Sequence, residues 1–331
     1  MEAFQSCKYI EHGLVLDHKN VIRACNIFNP GHEGRPVLYE NYCGEKIDWD
    51  EFFAKKNALR KYSREGNCPP QCEGCIGFEY KEWDDENYVD YLLMTPWIEC
   101  NSRCIYCTCH SDIDVKNNTK PYSVLALVKD MIEHNVLKKD GTMDFAGGEP
   151  TIYPEFKELL TTFLNNDFTK IVIHTNAILY SEEIARGIKE GKVNILVSID
   201  AGSKEIHEKV KGVNTYDSVW NNMAKYAAFQ NEDKVQIKTK FILYPGLNDS
   251  EEEIRIWLEK NAEIGIKAVV LDLDFNWICK NYNNISMELY NLIDYTYKEA
   301  EKLGLKLELY GSIFKLKTLV ENKVDFNKAG F

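Results

Sequence analysis

Three cysteines stand in one short run, Cys100-Asn-Ser-Arg-Cys104-Ile-Tyr-Cys107, with the spacing C-x3-C-x2-C. Their sulfurs come from a single tight loop and can converge on one face of an iron–sulfur cluster, whose usual protein ligands are thiolates. A cubane [4Fe–4S] cluster has four irons, so three thiolates leave one iron open to bind something else. That pattern points to chemistry rather than to simple electron storage. The alternative is a zinc knuckle, which wants four ligands; Cys109 or His110 is placed to supply the fourth.

Two further motifs follow. Gly147-Gly148-Glu149-Pro150 comes directly after the apolar run Met143-Asp144-Phe145-Ala146, which reads as a buried strand. Paired glycines at a strand end let a ligand approach the backbone closely and leave peptide groups free to bond it. About fifty residues on, Asn194-Ile195-Leu196-Val197-Ser198-Ile199-Asp200 reads as another buried strand. Residues two apart on a strand point the same way, so Ser198 and Asp200 are expected to face one pocket, a hydroxyl and a carboxylate suited to a ribose diol. Taken singly, a Gly-Gly pair is usually a turn and Ser-x-Asp is usually a cap.

In this order and spacing the three motifs resemble the radical S-adenosylmethionine (radical SAM) enzymes, over roughly residues 88–310. The resemblance implies that Cys100, Cys104 and Cys107 hold a catalytic [4Fe–4S] cluster whose open iron binds the amino and carboxylate groups of SAM. It assigns Gly147, Gly148 and Glu149 to the SAM amino group, and Ser198 and Asp200 to its ribose or carboxylate end. Tyr106 is expected against the adenine. His174, Thr175 and Asn176 end a strand and are expected at the pocket, with His174 equally readable as a polar support of the barrel mouth.

The elements that must position these residues alternate. Strands are expected at 89–95, 142–146, 170–175, 194–200, 235–243 and 268–275, with helices at 123–136, 154–165, 181–190, 203–210, 216–229, 250–263 and 285–303. Ser123, Ser181 and Ser250 read as N-caps, the last forming a capping box with Glu253. Near-continuous apolar strands between helices imply a parallel sheet covered outside. Six such units match the partial (β/α)6 TIM-type barrel that the resemblance implies. Barrel active sites lie at the C-terminal strand ends, and all three motifs fall there.

Residues 1–87 are expected to form a small cysteine-rich module ahead of the barrel, and 311–331 a C-terminal helix and tail. Gly13-Leu14-Val15-Leu16-Asp17-His18-Lys19-Asn20-Val21-Ile22 reads as a hairpin turning near Lys19-Asn20, since Asn tolerates left-handed backbone. Cys7, Cys25 and the pair Cys72-Glu-Gly-Cys75 resemble the Twitch and SPASM auxiliary-cluster modules, with Asn20 where those carry a glycine. In those relatives the module follows the barrel; here it precedes it. The resemblance implies a second [4Fe–4S] cluster on Cys7, Cys25, Cys72 and Cys75, with Cys68 as the rival ligand. A zinc-ribbon-like domain would use the same four sulfurs.

Cys43 reads as a small buried hydrophobe. Cys279, on the catalytic rim after Asp272, Asp274 and Trp277, is a candidate hydrogen-atom donor to a substrate radical. A net charge of −12 argues against a general nucleic-acid binder. No run approaches the roughly 20 apolar residues of a membrane span. The start, Met1-Glu2-Ala3-Phe4-Gln5, has no secretory features. A cytoplasmic place is therefore expected, where eleven cysteines serve clusters or metals better than disulfides.

The resemblance implies an enzyme that cleaves SAM reductively and abstracts hydrogen with a 5′-deoxyadenosyl radical, fed by a flavodoxin- or ferredoxin-type donor. Its substrate is expected to be a small polar molecule such as a sugar or aminocyclitol; the alternative is a peptide. A non-catalytic iron–sulfur protein is the reading from another class, and it leaves the Gly-Gly-Glu and Ser-x-Asp motifs without a purpose.

Overall fold

The computed structural model describes residues 5–25, 35–67, 69, 72, 75, 77–107, 122–231, 233–281 and 286–310, and only the backbone of Gln5, Tyr80 and Cys279. Cys68, Cys109, His110 and the helix and tail expected at 311–331 lie outside the described residues, as does the Cys279 side chain. The chain divides into two compact units, Met1–Glu99 with Ser111–Ile173, and Cys100–His110 with His174–Phe331.

In the first unit, β1 (Gln5–Ser6) pairs with β5 (Glu79–Tyr80). The hairpin expected near Asn20 is present. β2 (Gly13–Asp17) and β3 (Val21–Arg23) run antiparallel, and Asn20 takes φ 56° between them. The Asn20 amide also donates to the Tyr42 carbonyl at 2.6 Å, fixing the turn. β4 (Val37–Tyr39) adds to β3. The other side of β2 pairs in parallel with β6 (Val89–Thr95), from Gly13 opposite Tyr91 to Asp17 opposite Thr95. The N-terminal hairpin and the first strand of the α/β repeat therefore share one sheet.

β6 pairs in parallel with β7 (Leu137–Phe145), and β7 with the first residues of β8 (Lys170–Thr175). The helices Val124–Glu133 and Phe156–Asn165 connect them, as parallel neighbours require. β7 begins before the expected 142. Its first residues, Lys138, Lys139 and Asp140, carry no apolar signal, but the backbone is extended there and Val89 of β6 pairs with Leu137.

The second unit carries β9 (Val193–Ser198), β10 (Ile237–Leu243), β11 (Ala268–Leu273) and β12 (Lys306–Leu309), all parallel and in that order. Val193, Ile195 and Val197 of β9 are buried, and so are Ile237, Thr239, Phe241 and Leu243 of β10. β10 starts two residues late because Val235 is exposed and the buried Gln236 amide instead bonds the Ile188 and Val193 carbonyls. β9 ends early because Asp200 turns to φ 60°.

Ser123, Ser181 and Ser250 cap their helices as expected, each hydroxyl accepting the amide three residues on. The capping box at Ser250 is formed only in half. The Glu253 carboxylate takes the Gly202 and Ser203 amides at 2.7 and 2.9 Å, tying the helix Glu251–Glu263 to the turn after β9. Glu253→Ala is expected to lower stability by about 1.5–3 kcal/mol, the range for hydrogen bonds to a charged group. A urea titration with an unchanged slope checks this; an unchanged midpoint would show that water replaces the carboxylate without loss.

Candidate active site

The cysteine loop belongs to the second unit and is gripped by the end of the helix Lys204–Lys211. The Arg103 amide donates to the Lys211 carbonyl at 2.8 Å and the Ile105 amide to the Val210 carbonyl at 3.0 Å. Inside the loop, the Cys107 amide donates to the Cys104 carbonyl at 3.1 Å, closing a turn between those two thiols. Cys100, Cys104 and Cys107 are all partly exposed.

Donors face Cys100. Its sulfur accepts from the Ser102 amide at 3.4 Å and from the Asn176 side chain at 3.7 Å. Asn176 follows β8, and its amide also reaches Asn101 Oδ1 at 2.6 Å. The turn is held from behind, where Asn222 donates to the Ala177 and Ile178 carbonyls. Asn176 thus stands against the cysteine loop itself.

Asp200 is fully buried. Tyr106 Oη and Lys211 Nζ both donate to its Oδ2, and the Ile242 amide donates to Oδ1 at 2.6 Å. Lys211 Nζ also donates to Tyr106 Oη at 2.9 Å. Burial works against the Lys211 charge, but the Asp200 carboxylate and then Cys104 outweigh it and hold the ammonium above its ordinary value. Burial and then the same carboxylate push the Tyr106 phenol well above the usual range, so it stays a hydroxyl. Ser198 ends β9, partly exposed. The two-residue alternation expected to align Ser198 with Asp200 stops at the strand end, because Asp200 has left-handed backbone.

Gly147-Gly148-Glu149 is in the first unit, at the end of β7, packed on the backbone of 97–99. The Gly148 amide donates to the Trp97 carbonyl at 3.1 Å and the Glu149 amide to the Glu99 carbonyl at 2.7 Å. Gly147 takes φ 98°, and a Cβ on Gly148 would lie 2.2 Å from the Glu99 oxygen. Glu149 is buried and caps the short turn Pro150–Ile152 through the Thr151 amide. The strand end is thus fitted to the segment that leads directly into Cys100.

The Radical SAM superfamily model matches residues 94–258, which span the cysteine loop, Gly-Gly-Glu and Ser-x-Asp. The chain belongs to the radical SAM superfamily. It is similar to GTP 3′,8-cyclases. That of Haemophilus influenzae strain PittEE is 23% identical over 184 residues, covering 55% of this chain and 53% of the relative. The cyclase of Clostridium botulinum strain Okra is 23% identical over 55% of this chain and 56% of its own. The chain spans about half the length of these curated relatives. In fold it resembles Streptococcus suis SuiB bound to the precursor peptide SuiA, with a TM-score of 0.54, 14% identity, and coverage of 88% of this chain and 62% of that one. The expected α/β class holds: among the described strands parallel pairing outnumbers antiparallel, as in a partial TIM-type fold.

The radical SAM cofactors are a [4Fe–4S] cluster and SAM, and the residues present fit them. Three thiols leave one loop, with two N–H donors aimed at Cys100 and the buried Lys211 charge acting on Cys100 and Cys104. Burial pushes the Cys104 thiol up while Lys211 pulls it down. Among the described residues no three Cys, His, Asp or Glu side chains surround a single ion position. In a cluster each thiolate binds a different iron, so the sulfurs need not meet at one point.

In the first unit Cys7 and Cys72 are buried in one apolar cluster with Ile10 and Trp83, and Cys7 feels the charge of Cys75. Cys75 accepts the Gly77 amide at 3.4 Å. Cys25 is buried as well, and shares with Cys7 the fully buried neighbour Lys56. Lys56 Nζ donates to the Gly13 carbonyl at 2.6 Å. Cys43, expected buried, is exposed beside Asn41 in a turn, because Asn41 takes φ 55° and the adjacent Tyr42 is the side chain sent into the core. No motif in the sequence singles out Lys56 or Lys211. A lysine at the interval of the buried His207 and Val210 is the one local sign for Lys211.

Proposed function

We propose that this radical SAM enzyme cleaves SAM reductively at the Cys100–Cys104–Cys107 loop and takes a hydrogen atom from a small polar substrate. The cluster, when bound, supplies an electron to the SAM sulfonium, whose carbon–sulfur bond breaks to give methionine and a 5′-deoxyadenosyl radical. The observation carrying this reading is the cysteine loop itself, held on the helix Lys204–Lys211 with N–H donors on Cys100. Gly147, Gly148 and Glu149 would receive the SAM amino group, with Gly148 small enough to bring the strand end against 97–99. Ser198, at the end of β9, would meet the ribose. A flavodoxin- or ferredoxin-type protein would supply the electron.

A small-molecule substrate draws support from the similarity to enzymes named for a nucleotide, GTP 3′,8-cyclase. Peptide modification is the second reading, because the structure of similar fold holds the precursor peptide SuiA. For the N-terminal segment we propose an auxiliary [4Fe–4S] cluster on Cys7, Cys25, Cys72 and Cys75, able to take an electron when substrate is oxidised. Burial and then Arg60 pull the pKa of Lys56 down to about 7 beside Cys7 and Cys25, and an anionic cluster there would favour its charged form.

Anaerobic reconstitution with iron and sulfide is expected to load about eight irons per chain, four for each cluster. With SAM and dithionite the loaded protein should release 5′-deoxyadenosine. Full iron with no 5′-deoxyadenosine would overturn the proposed activity; about four irons, all lost with Cys100, would remove the auxiliary cluster alone.

A further inference from the structure

We propose that Lys211 is a positioning residue for the catalytic cysteine loop, gripping it on both sides of Cys104 and placing a buried positive charge beside the cluster ligands. The inference rests on the cluster reading of that loop. Three observations in the second unit carry it.

First, Lys211 holds the loop with both its main chain and its side chain. Its carbonyl accepts the Arg103 amide at 2.8 Å, one residue before Cys104. Its ammonium donates to Tyr106 Oη at 2.9 Å, two residues after Cys104. The next residue, Gly212, has φ 66°, and a Cβ there would lie 2.7 Å from Arg103 Cβ. The loop is therefore seated where only a glycine admits it.

Second, the ammonium is itself fixed. Its side chain is 3% exposed, and that of its partner Asp200 is wholly buried. Asp200 Oδ1 takes the Ile242 amide and its carbonyl takes Asn248 Nδ2 at 2.8 Å, anchoring the carboxylate to the end of β10. A carboxylate offers about four acceptor sites, and Tyr106, Lys211 and Ile242 fill three of them. Asp200 is thereby committed to the loop more than to a cofactor hydroxyl.

Third, the charge has somewhere to act. Lys211 interacts electrostatically with Cys104 and Cys100, and it lies in the last turn of its helix, where the helix dipole favours a cation. Three thiolates on a [4Fe–4S] core make an anion, and reduction adds another electron. Net charge and hydrogen bonds to the sulfurs set the potential of such clusters, so a fixed buried cation favours both thiolate ligation and the reduced state.

The test compares reconstituted wild type with Lys211→Met, Lys211→Arg and Asp200→Asn, reading iron loss to a chelator and the midpoint potential of the loop cluster by EPR. Lys211→Met should lose loop iron about tenfold faster. It should also be about tenfold harder to reduce, a shift of about 60 mV downward for one electron. Lys211→Arg should restore most of both. Asp200→Asn should speed iron loss while changing SAM affinity less than about threefold. Because Lys211→Met leaves a buried carboxylate unpaired, Lys211→Met/Asp200→Asn is measured beside it, and the same iron loss in a protein that melts as a single folded species supports the proposal. Wild-type chelation and potential in Lys211→Met, or an Asp200→Asn variant that loses only SAM affinity, would overturn it. A wild type that binds no cluster at the loop would instead overturn the reading on which it rests.

Discussion

Anaerobic reconstitution of the Cys100→Ala/Cys104→Ala/Cys107→Ala variant is expected to return about four fewer irons than wild type and no 5′-deoxyadenosine at all. Thiolates are the anchors of such a cluster, and no other residue of the loop between Cys100 and Cys107 offers a sulfur. The fold should survive. All three cysteines are partly exposed, and the backbone bonds from Arg103 and Ile105 to the helix end do not use their side chains. Surface changes of this kind usually stay within about 0.5 kcal/mol. Any iron left in the triple variant belongs elsewhere, and about four irons in an all-cysteine Mössbauer environment would be the auxiliary cluster on Cys7, Cys25, Cys72 and Cys75. Zinc or no metal there would refute that second cluster. SAM cleavage at the wild-type rate would refute the catalytic one.

Gly148→Ala should be the most damaging change that adds a single carbon. The new Cβ would sit 2.2 Å from the Glu99 oxygen, 2.7 Å from the Ile98 carbonyl carbon and 2.9 Å from the Glu99 carbonyl carbon, all of them backbone. No side chain can swing aside, so β7 or the 97–99 segment must move. Overpacking of this sort costs typically about 1–3 kcal/mol. The displacement would also pull on the Glu149 amide bond to the Glu99 carbonyl, one residue before Cys100. We expect Gly148→Ala to keep most of its loop iron while SAM affinity, measured by equilibrium binding, falls at least tenfold. Gly147 differs, since its φ of 98° is itself the demand for glycine. Unaltered SAM affinity in a folded Gly148→Ala protein would mean that the strand end does not meet SAM.

The cysteine loop was legible in the sequence because its three ligands lie within eight residues, and so short a segment must keep its sulfurs together in any fold. The Ser123, Ser181 and Ser250 caps were legible for the same reason, each bonding an amide three residues on. The turn at Asn20 needed only the backbone tolerance of one residue. Alternation of apolar strands and helices likewise carries the α/β class, since the buried face of each strand is written into its own alternate residues.

What only the tertiary structure decided is who meets whom across long stretches of chain. Lys211 reaches Tyr106 from 105 positions away, and Glu253 reaches Gly202 from 51. A charged residue on a helix is normally solvated, and beyond the interval of Lys211 from His207 and Val210 no local pattern separates these two from their exposed neighbours. Asp200 belongs to the same class: Ser-x-Asp marks a strand end, but the left-handed turn at Asp200 and its capture by Tyr106, Lys211 and Ile242 depend on three other segments. The parallel pairing of β2 with β6 joins residues 13–17 to 91–95, and a hairpin's own sequence says nothing about which strand will cover its free edge. Local chemistry follows from neighbours in sequence; the charge and the grip around it follow from neighbours in space, which chain closure alone selects.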